Sequence, residues 1–185
     1  MRIYTRKGDD GTTGLLFGGR VRKDSPLPEA YGAVDEAQAA IGVARSESGR
    51  DAELNGVLIT VERDLWVLMA ELATSPDKRA RLSPGESQVT DSMVQRLEHL
   101  IDEFTERFEP PAEFVVPGES KLAALLDVAR TVVRRAERAS LRVAQPDSLA
   151  MPYLNRLSDL LWTLARWAEG GSRPARSPLL GGDQR

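Results

Sequence analysis

Residues 121–143 read KLAALLDVARTVVRRAERASLRV, a run with no Gly or Pro. At about 100° per residue, Leu122, Leu126, Ala129, Val133 and Ala136 fall within one arc. Arg130, Arg134, Glu137 and Arg138 occupy the sector beside it, with Asp127, while Arg135 points elsewhere. An apolar arc of this period is the buried face of an amphipathic helix, and Ser120 stands where its cap belongs. Such a helix is stable only when that arc is covered, so its partners have to be sought along the chain.

They are other helices. Upstream, Ala30, Val34, Ala37, Ile41 and Ala44 predict a helix over about Glu29–Ser46. Leu54, Val57, Leu58, Val61, Leu65, Leu68, Met69 and Leu72 predict another over about Asp51–Thr74, stopped by Ser75-Pro76-Asp77. Residues 76–88 read as a loop. Met93, Leu97, Leu100, Ile101 and Phe104 give a third helix over about Thr90–Phe108, ended by Pro110-Pro111. Phe114-Val115-Val116-Pro117-Gly118 is a short extended crossover to the quoted helix. After Pro146-Asp147, a fifth helix is expected over about Leu149–Trp167. The opening 28 residues are turn-rich and irregular, and no segment makes a convincing strand. The expectation is all-α: a five-helix bundle in a single domain over residues 1–170, with a mobile tail over 171–185.

Composition narrows the function. The 185 residues carry a net charge of −3, one His and no Cys. Without Cys there is no disulfide, thiolate metal site or cysteine nucleophile. A lone His99 excludes sites that need two imidazoles, and it reads as a structural residue. The charge excludes a dedicated nucleic-acid binder. No apolar run is long enough to span a membrane, and Met1-Arg2-Ile3-Tyr4-Thr5 leads into no signal-type apolar stretch, so a cytoplasmic location is expected. The average conceals two basic islands. Residues 1–23 hold six cations against two carboxylates and residues 130–142 hold five arginines against Glu137, each a net +4, which leaves −11 elsewhere. Two small islands on an acidic body suit a compact anionic ligand.

The individual residues leave alternatives open. Arg130, Arg134 and Arg138 read either as a solvated face with i,i+4 charge pairs or as guanidinium groups for phosphate oxygens. Asp35 lies beside apolar positions of the first helix; it is either an exposed carboxylate or a half-buried one paired with an Arg of the fourth helix. In the opening segment Gly8, Gly11 and Gly14 let backbone N–H groups approach an anion, with hydroxyls from Thr12 and Thr13 and charge from Arg6 and Lys23, or they form a plain turn. It is neither a Walker A loop nor a dinucleotide fingerprint. Trp66, Trp162 and Trp167 read as core or interface residues. Phe114 either packs under its loop or caps a pocket.

Taken in order, these segments form a recognisable set. Tyr4-Thr5-Arg6-Lys7-Gly8-Asp9-Asp10-Gly11-Thr12-Thr13-Gly14-Leu15 resembles the nucleotide-binding signature of PduO-type ATP:cob(I)alamin adenosyltransferases. The resemblance continues through Glu29–Glu36, Ala70-Glu71-Leu72-Ala73-Thr74, Phe114–Gly118, Ala129–Arg138, Tyr153–Asp159 and Leu164–Trp167, covering residues 3–168. It implies a homotrimer of five-helix bundles with active sites between subunits, moving the 5′-deoxyadenosyl group of ATP onto a reduced corrinoid. By the same resemblance Thr5, Arg6, Gly8, Thr12, Thr13 and Lys23 would wrap ATP. Arg134 and Arg138 would hold the polyphosphate, Glu137 would lie near the Mg²⁺ or nucleotide, and Asn155 would contact the nucleotide. Asp35 and Arg130 would pair across subunits, and Phe114 would pack on the corrin. ATP with Mg²⁺ and cobalamin are the implied ligands, with no resident metal ligand assigned; a reductase and a B12-dependent acceptor enzyme are the implied partners. Four positions depart from the family: Lys7 for Thr, Asp10 for a basic or small residue, Gln38 for Asn and Glu119 for Gly. Asp10 and Glu119 bring negative charge near the expected phosphate and corrinoid sites.

Overall fold

The computed structural model describes residues 3–49 and 51–176. Five helices dominate: α1 (Pro26–Ser46), α2 (Ala52–Leu72), α3 (Asp91–Thr105), α4 (Lys121–Ser140) and α5 (Ala150–Glu169). α1 starts three residues before the expected Glu29. Pro26 and Pro28 lie in its opening turn, where a missing N–H breaks no intrahelical bond and the fixed φ favours the helix. Asp51 caps α2 by accepting from Leu54 N at 2.9 Å, and Ser120 caps α4 through Ala123 N at 3.1 Å. α4 closes at Ser140 rather than Val143, its carbonyl accepting from both Val143 N and Ala144 N. Gly170, at φ 67°, ends α5 in the left-handed conformation that glycine adopts without strain.

α4 packs between α1 and α5, α2 packs on α1, and α3 lies against α5. The arc read from the sequence is the seam: Leu126, Ala129, Val133 and Ala136 are fully buried. Alanines on α1 (Ala30, Ala33, Ala37, Ala44) face this seam region and let the helices approach closely. Phe104 of α3 meets Trp167 of α5 edge to face, with centroids 5.1 Å apart. Among the described residues no helix is long and apolar enough to cross a membrane.

Three local expectations are corrected. The opening segment contains a hairpin, β1 (Thr12–Gly14) antiparallel to β2 (Arg20–Arg22), with Thr13 opposite Val21. Phe17, Gly18 and Gly19, all at positive φ, reverse the chain between the two strands. Three-residue strands are too short for alternation to mark them. The stretch expected to be a plain loop holds a 3-10 helix over Pro76–Arg81. In the expected tail, β4 (Arg173–Pro174) pairs with β3 (Val115–Val116) of the crossover. Residues 177–185 of that tail lie outside the described residues.

Candidate active site

The hairpin is locally over-determined. Asp10 accepts from the Thr12 hydroxyl at 2.7 Å and the Thr12 amide at 2.9 Å. These two bonds, with the Arg20 guanidinium nearby, hold its carboxyl below the usual aspartate range. Arg20 Nε in turn donates to Thr12 Oγ1 at 2.9 Å. The negative charge that departs from the family pattern is thus bound into the turn. Gly8 matters for a different reason: a Cβ there would lie 3.1 Å from Lys23 Nζ and 3.2 Å from the Thr12 carbonyl oxygen. The missing side chain lets Lys23 lie against the backbone, and Gly8, Thr12 and Lys23 form one cluster. Thr13 sits half-buried in the same strand, while Thr5 and Arg6 are exposed. Arg6 holds φ 61° and lies over the Tyr4 ring at 5.6 Å.

Of the α4 arginines, Arg130 pairs with Asp127 and Arg135 with Glu36 of α1. Arg134 and Arg138 are exposed, and the guanidinium of Arg138 donates to the Arg134 carbonyl at 3.0 Å. A solvated face laced with i,i+4 pairs would have given these two cations carboxylates. They have none here, although Glu137 stands between them in sequence. Glu137 is half-buried and accepts from Asn155 Nδ2 at 3.3 Å, so two expected site residues from different helices meet.

Phe114 is 85% exposed. It stands at the rim of an open cleft of about 700 Å³ that also includes Pro117, Asp127, Arg130, Trp162 and Arg166. β3–β4 pairing supports the rim, with Ala175 N donating to the Phe114 carbonyl at 2.7 Å. Glu119 is turned away into a 2.8 Å pair with Arg173. The cleft floor is ionic. Buried Asp127 accepts from Arg166 at 2.6 Å and from Arg130 Nε at 3.0 Å, and Arg166 Nε reaches Glu169 at 2.7 Å. Sequence reasoning passed over Arg166 and read Trp162 only as core or interface. The available signal was an arginine set into the apolar stripe Leu161–Ala165 of α5.

The two readings left open for Asp35 are decided within the chain. It is exposed, and within the chain the partner of Arg130 is Asp127. A carboxylate at Asp127 lies one turn from Arg130 on the same helix, whereas Asp35 faces away from the α1–α4 seam. Asp35 lines a shallow cleft of about 430 Å³ with Gln38, Gly42, Glu62, Arg63 and Trp66, the last 68% exposed. Gln38, another departure, donates to the Glu62 carbonyl at 2.6 Å. His99 is exposed on α3. The hydrogen bonds from the hairpin to the bundle reach the end of α2 and the 3-10 helix; among the described residues none reaches α4. Among the described residues no hydrogen bond or ion pair joins the two basic islands.

Exposed arginines on α4, unpaired among the described residues, and an exposed aromatic over an ion-lined cleft are open to an anionic ligand and an apolar one. The chain belongs to the cobalamin adenosyltransferase family, whose pattern it matches over residues 3–168. It is 42% identical to the corrinoid adenosyltransferase of Mycobacterium tuberculosis over 94% of this chain and 96% of that one. Identity to the corrinoid adenosyltransferase of Citrobacter freundii is 43%, over 91% and 95% of the two chains. The fold matches a phenylalanine-to-histidine variant of a PduO-type ATP:corrinoid adenosyltransferase from Lactobacillus reuteri, complexed with cobalamin and ATP. That match has a TM-score of 0.85 and 31% identity, covering 95% of this chain and 97% of the other.

Proposed function

We propose that this protein transfers the 5′-deoxyadenosyl group of ATP to the cobalt of cob(I)alamin or a related corrinoid, releasing inorganic triphosphate. Beyond family membership, the supporting observation is the pair Arg134 and Arg138, exposed and, among the described residues, without carboxylate partners beside the Glu137–Asn155 contact. Co(I) is itself a strong nucleophile. As the cobalt–carbon bond forms, the C5′–O bond breaks and its electron pair leaves with the triphosphate. No protein nucleophile or general base is required. The protein has to align C5′ with cobalt and stabilise the charge gathering on the leaving group. Arg134 and Arg138 take the second task, since guanidinium forks match phosphate oxygens. Gly8, Thr12, Thr13 and Lys23, with Thr5 and Arg6 folding over, hold the nucleotide, and Asn155 contacts it.

Mg²⁺ would travel with ATP, since it binds through phosphates and water with one or two carboxylates. Glu137 fits as such a carboxylate, because its other neighbour is the neutral Asn155 amide. Among the described residues no group of three or more His, Cys, Asp or Glu side chains could hold an ion alone. When bound, the ion supplies positive charge to the polyphosphate.

Among the described residues no hydrogen bond joins the hairpin to α4, which argues for a site shared between copies: the hairpin of one subunit would close over α4 of the next. A homotrimer with Asp35 of one subunit reaching Arg130 of its neighbour accounts for the exposed Asp35–Trp66 face. The setting is the cytoplasm, with a reductase supplying Co(I) and a B12-dependent enzyme taking the product. Mixing the protein with ATP, Mg²⁺ and chemically reduced cobalamin should yield adenosylcobalamin, followed by its visible spectrum. Stoichiometric binding without triphosphate release would make it a carrier instead.

Phe114 is assigned to the corrin face, where an apolar wedge excludes the lower axial ligand and eases reduction of Co(II). Phe114→Ala should therefore slow the reaction begun from Co(II) far more than the one begun from Co(I). Equal losses in the two assays would remove the wedge role.

A further inference from the structure

The side chains of the motif Ala70-Glu71-Leu72-Ala73-Thr74 have no role in the site described above, yet Glu71 is a heavily engaged carboxylate. Its side chain is 1% exposed. It accepts from Ser148 Oγ at 2.6 Å, Val89 N at 2.8 Å and Arg79 at 3.2 Å. Arg79 also reaches Asp147 at 3.4 Å. One buried carboxylate thus fixes the 3-10 helix Pro76–Arg81, the strand-like end of the following loop and the turn that enters α5. A buried charge is tolerable only with its acceptor sites filled, and here hydroxyl, amide and guanidinium fill them.

The same 3-10 helix carries the hairpin. Lys78 Nζ donates to the Gly18 carbonyl at 2.7 Å, and Arg81 donates to the Phe17 carbonyl at 3.4 Å. The Arg81 guanidinium stacks over the Phe17 ring at 4.5 Å. The Leu16 amide donates to Ala73 O, at the end of the motif, at 2.9 Å. All four contacts fall on the reversal Leu16–Gly19, where Phe17 holds φ 58° and Gly18 φ 90°. The opposite, open end of the hairpin carries Gly8, Thr12 and Lys23.

We infer that Lys78 and Arg81 are positioning residues for the nucleotide: they clamp the hairpin reversal to a 3-10 helix that Glu71 holds in place, setting where the Gly8–Thr12–Lys23 cluster stands. The inference rests on the hairpin being the ATP-holding segment. A clamped hairpin has less freedom to lose on binding, so the clamp should show in ATP affinity rather than in corrinoid affinity.

Lys78→Met and Arg81→Met, singly and combined, test it in the full-length enzyme. In the double variant the KM for ATP should rise about tenfold, since two charge-assisted contacts are lost. The KM for cobalamin, kcat at saturating ATP and the thermal midpoint should stay close to wild type. Trypsin without ATP should cut at Arg20 and Arg22 faster in the double variant, and saturating ATP should restore protection. Lys78→Arg, which keeps a donor, should recover most of the ATP affinity. Lys23→Ala is the control for the site itself. If it raises the KM for ATP while the clamp variants leave both KM and proteolysis unchanged, the clamp is overturned and the hairpin site stands. If neither Lys23→Ala nor the clamp variants move the KM for ATP, both fall. Equal rises in the KM values for ATP and cobalamin would also overturn the clamp.

Discussion

Arg134→Ala is expected to lower kcat/KM by about 10²–10³-fold, the usual cost of removing one donor that meets charge developing in a transition state. The thermal midpoint should hardly move, because the side chain is exposed and makes no ion pair among the described residues. Surface substitutions of that kind stay within about 0.5 kcal/mol. Arg134→Lys should fall between, as it keeps the charge and loses the fork that binds two oxygens at once. Steady-state assays with Co(I) and ATP, beside a melting curve, decide the matter. A kcat/KM within a few-fold of wild type would take Arg134 out of the leaving-group role, and Arg138 would then be the arginine to examine.

The second large effect is on stability. Arg166→Ala should cost about 3–5 kcal/mol, because Asp127 and Glu169 would each lose a buried partner. The side chains of Arg166, Asp127 and Glu169 are 1%, 6% and 0% exposed. For a chain of this size that corresponds to a midpoint lower by roughly 10 °C. Arg166→Met should recover little, since it restores packing but leaves Glu169 without a cation and Asp127 with Arg130 alone. Combining it with Asp127→Asn should recover part of the loss, and the difference from additivity measures the coupling. A midpoint within about 2 °C of wild type in Arg166→Ala would mean that water or a neighbouring subunit satisfies the cluster.

The same cluster separates what was legible from what was not. Asp127 was placed correctly in angle, beside the arginine row, but its burial was not foreseen. Position on a helical wheel says which face a residue occupies; it does not say whether another helix places a cation there. Arg166 does so from 39 positions along the chain. Asp35 was open between exposure and partial burial, since its neighbours on the wheel are apolar; in the chain it is exposed, while neighbouring Glu36 takes Arg135. The hairpin escaped notice because its strands are three residues long and held mainly by turn chemistry. Phe114, read as either packed or pocket-capping, stands exposed at a cleft rim.

The sequence by itself determined the five helices, the buried stripe of α4, the cap at Ser120, and the two basic islands. These depend on the local period of apolar residues, on capping chemistry and on charge, all of which act within a few residues. Only the tertiary structure decided that Asp127 is an ionic floor beneath Phe114, that Glu71 joins three loops, and that Lys78 meets Gly18 across 60 positions. It also decided that no hydrogen bond or ion pair joins the two basic islands among the described residues. Such contacts depend on how far each helix is rotated and shifted along its axis. The stripe constrains the rotation and leaves the axial shift to packing.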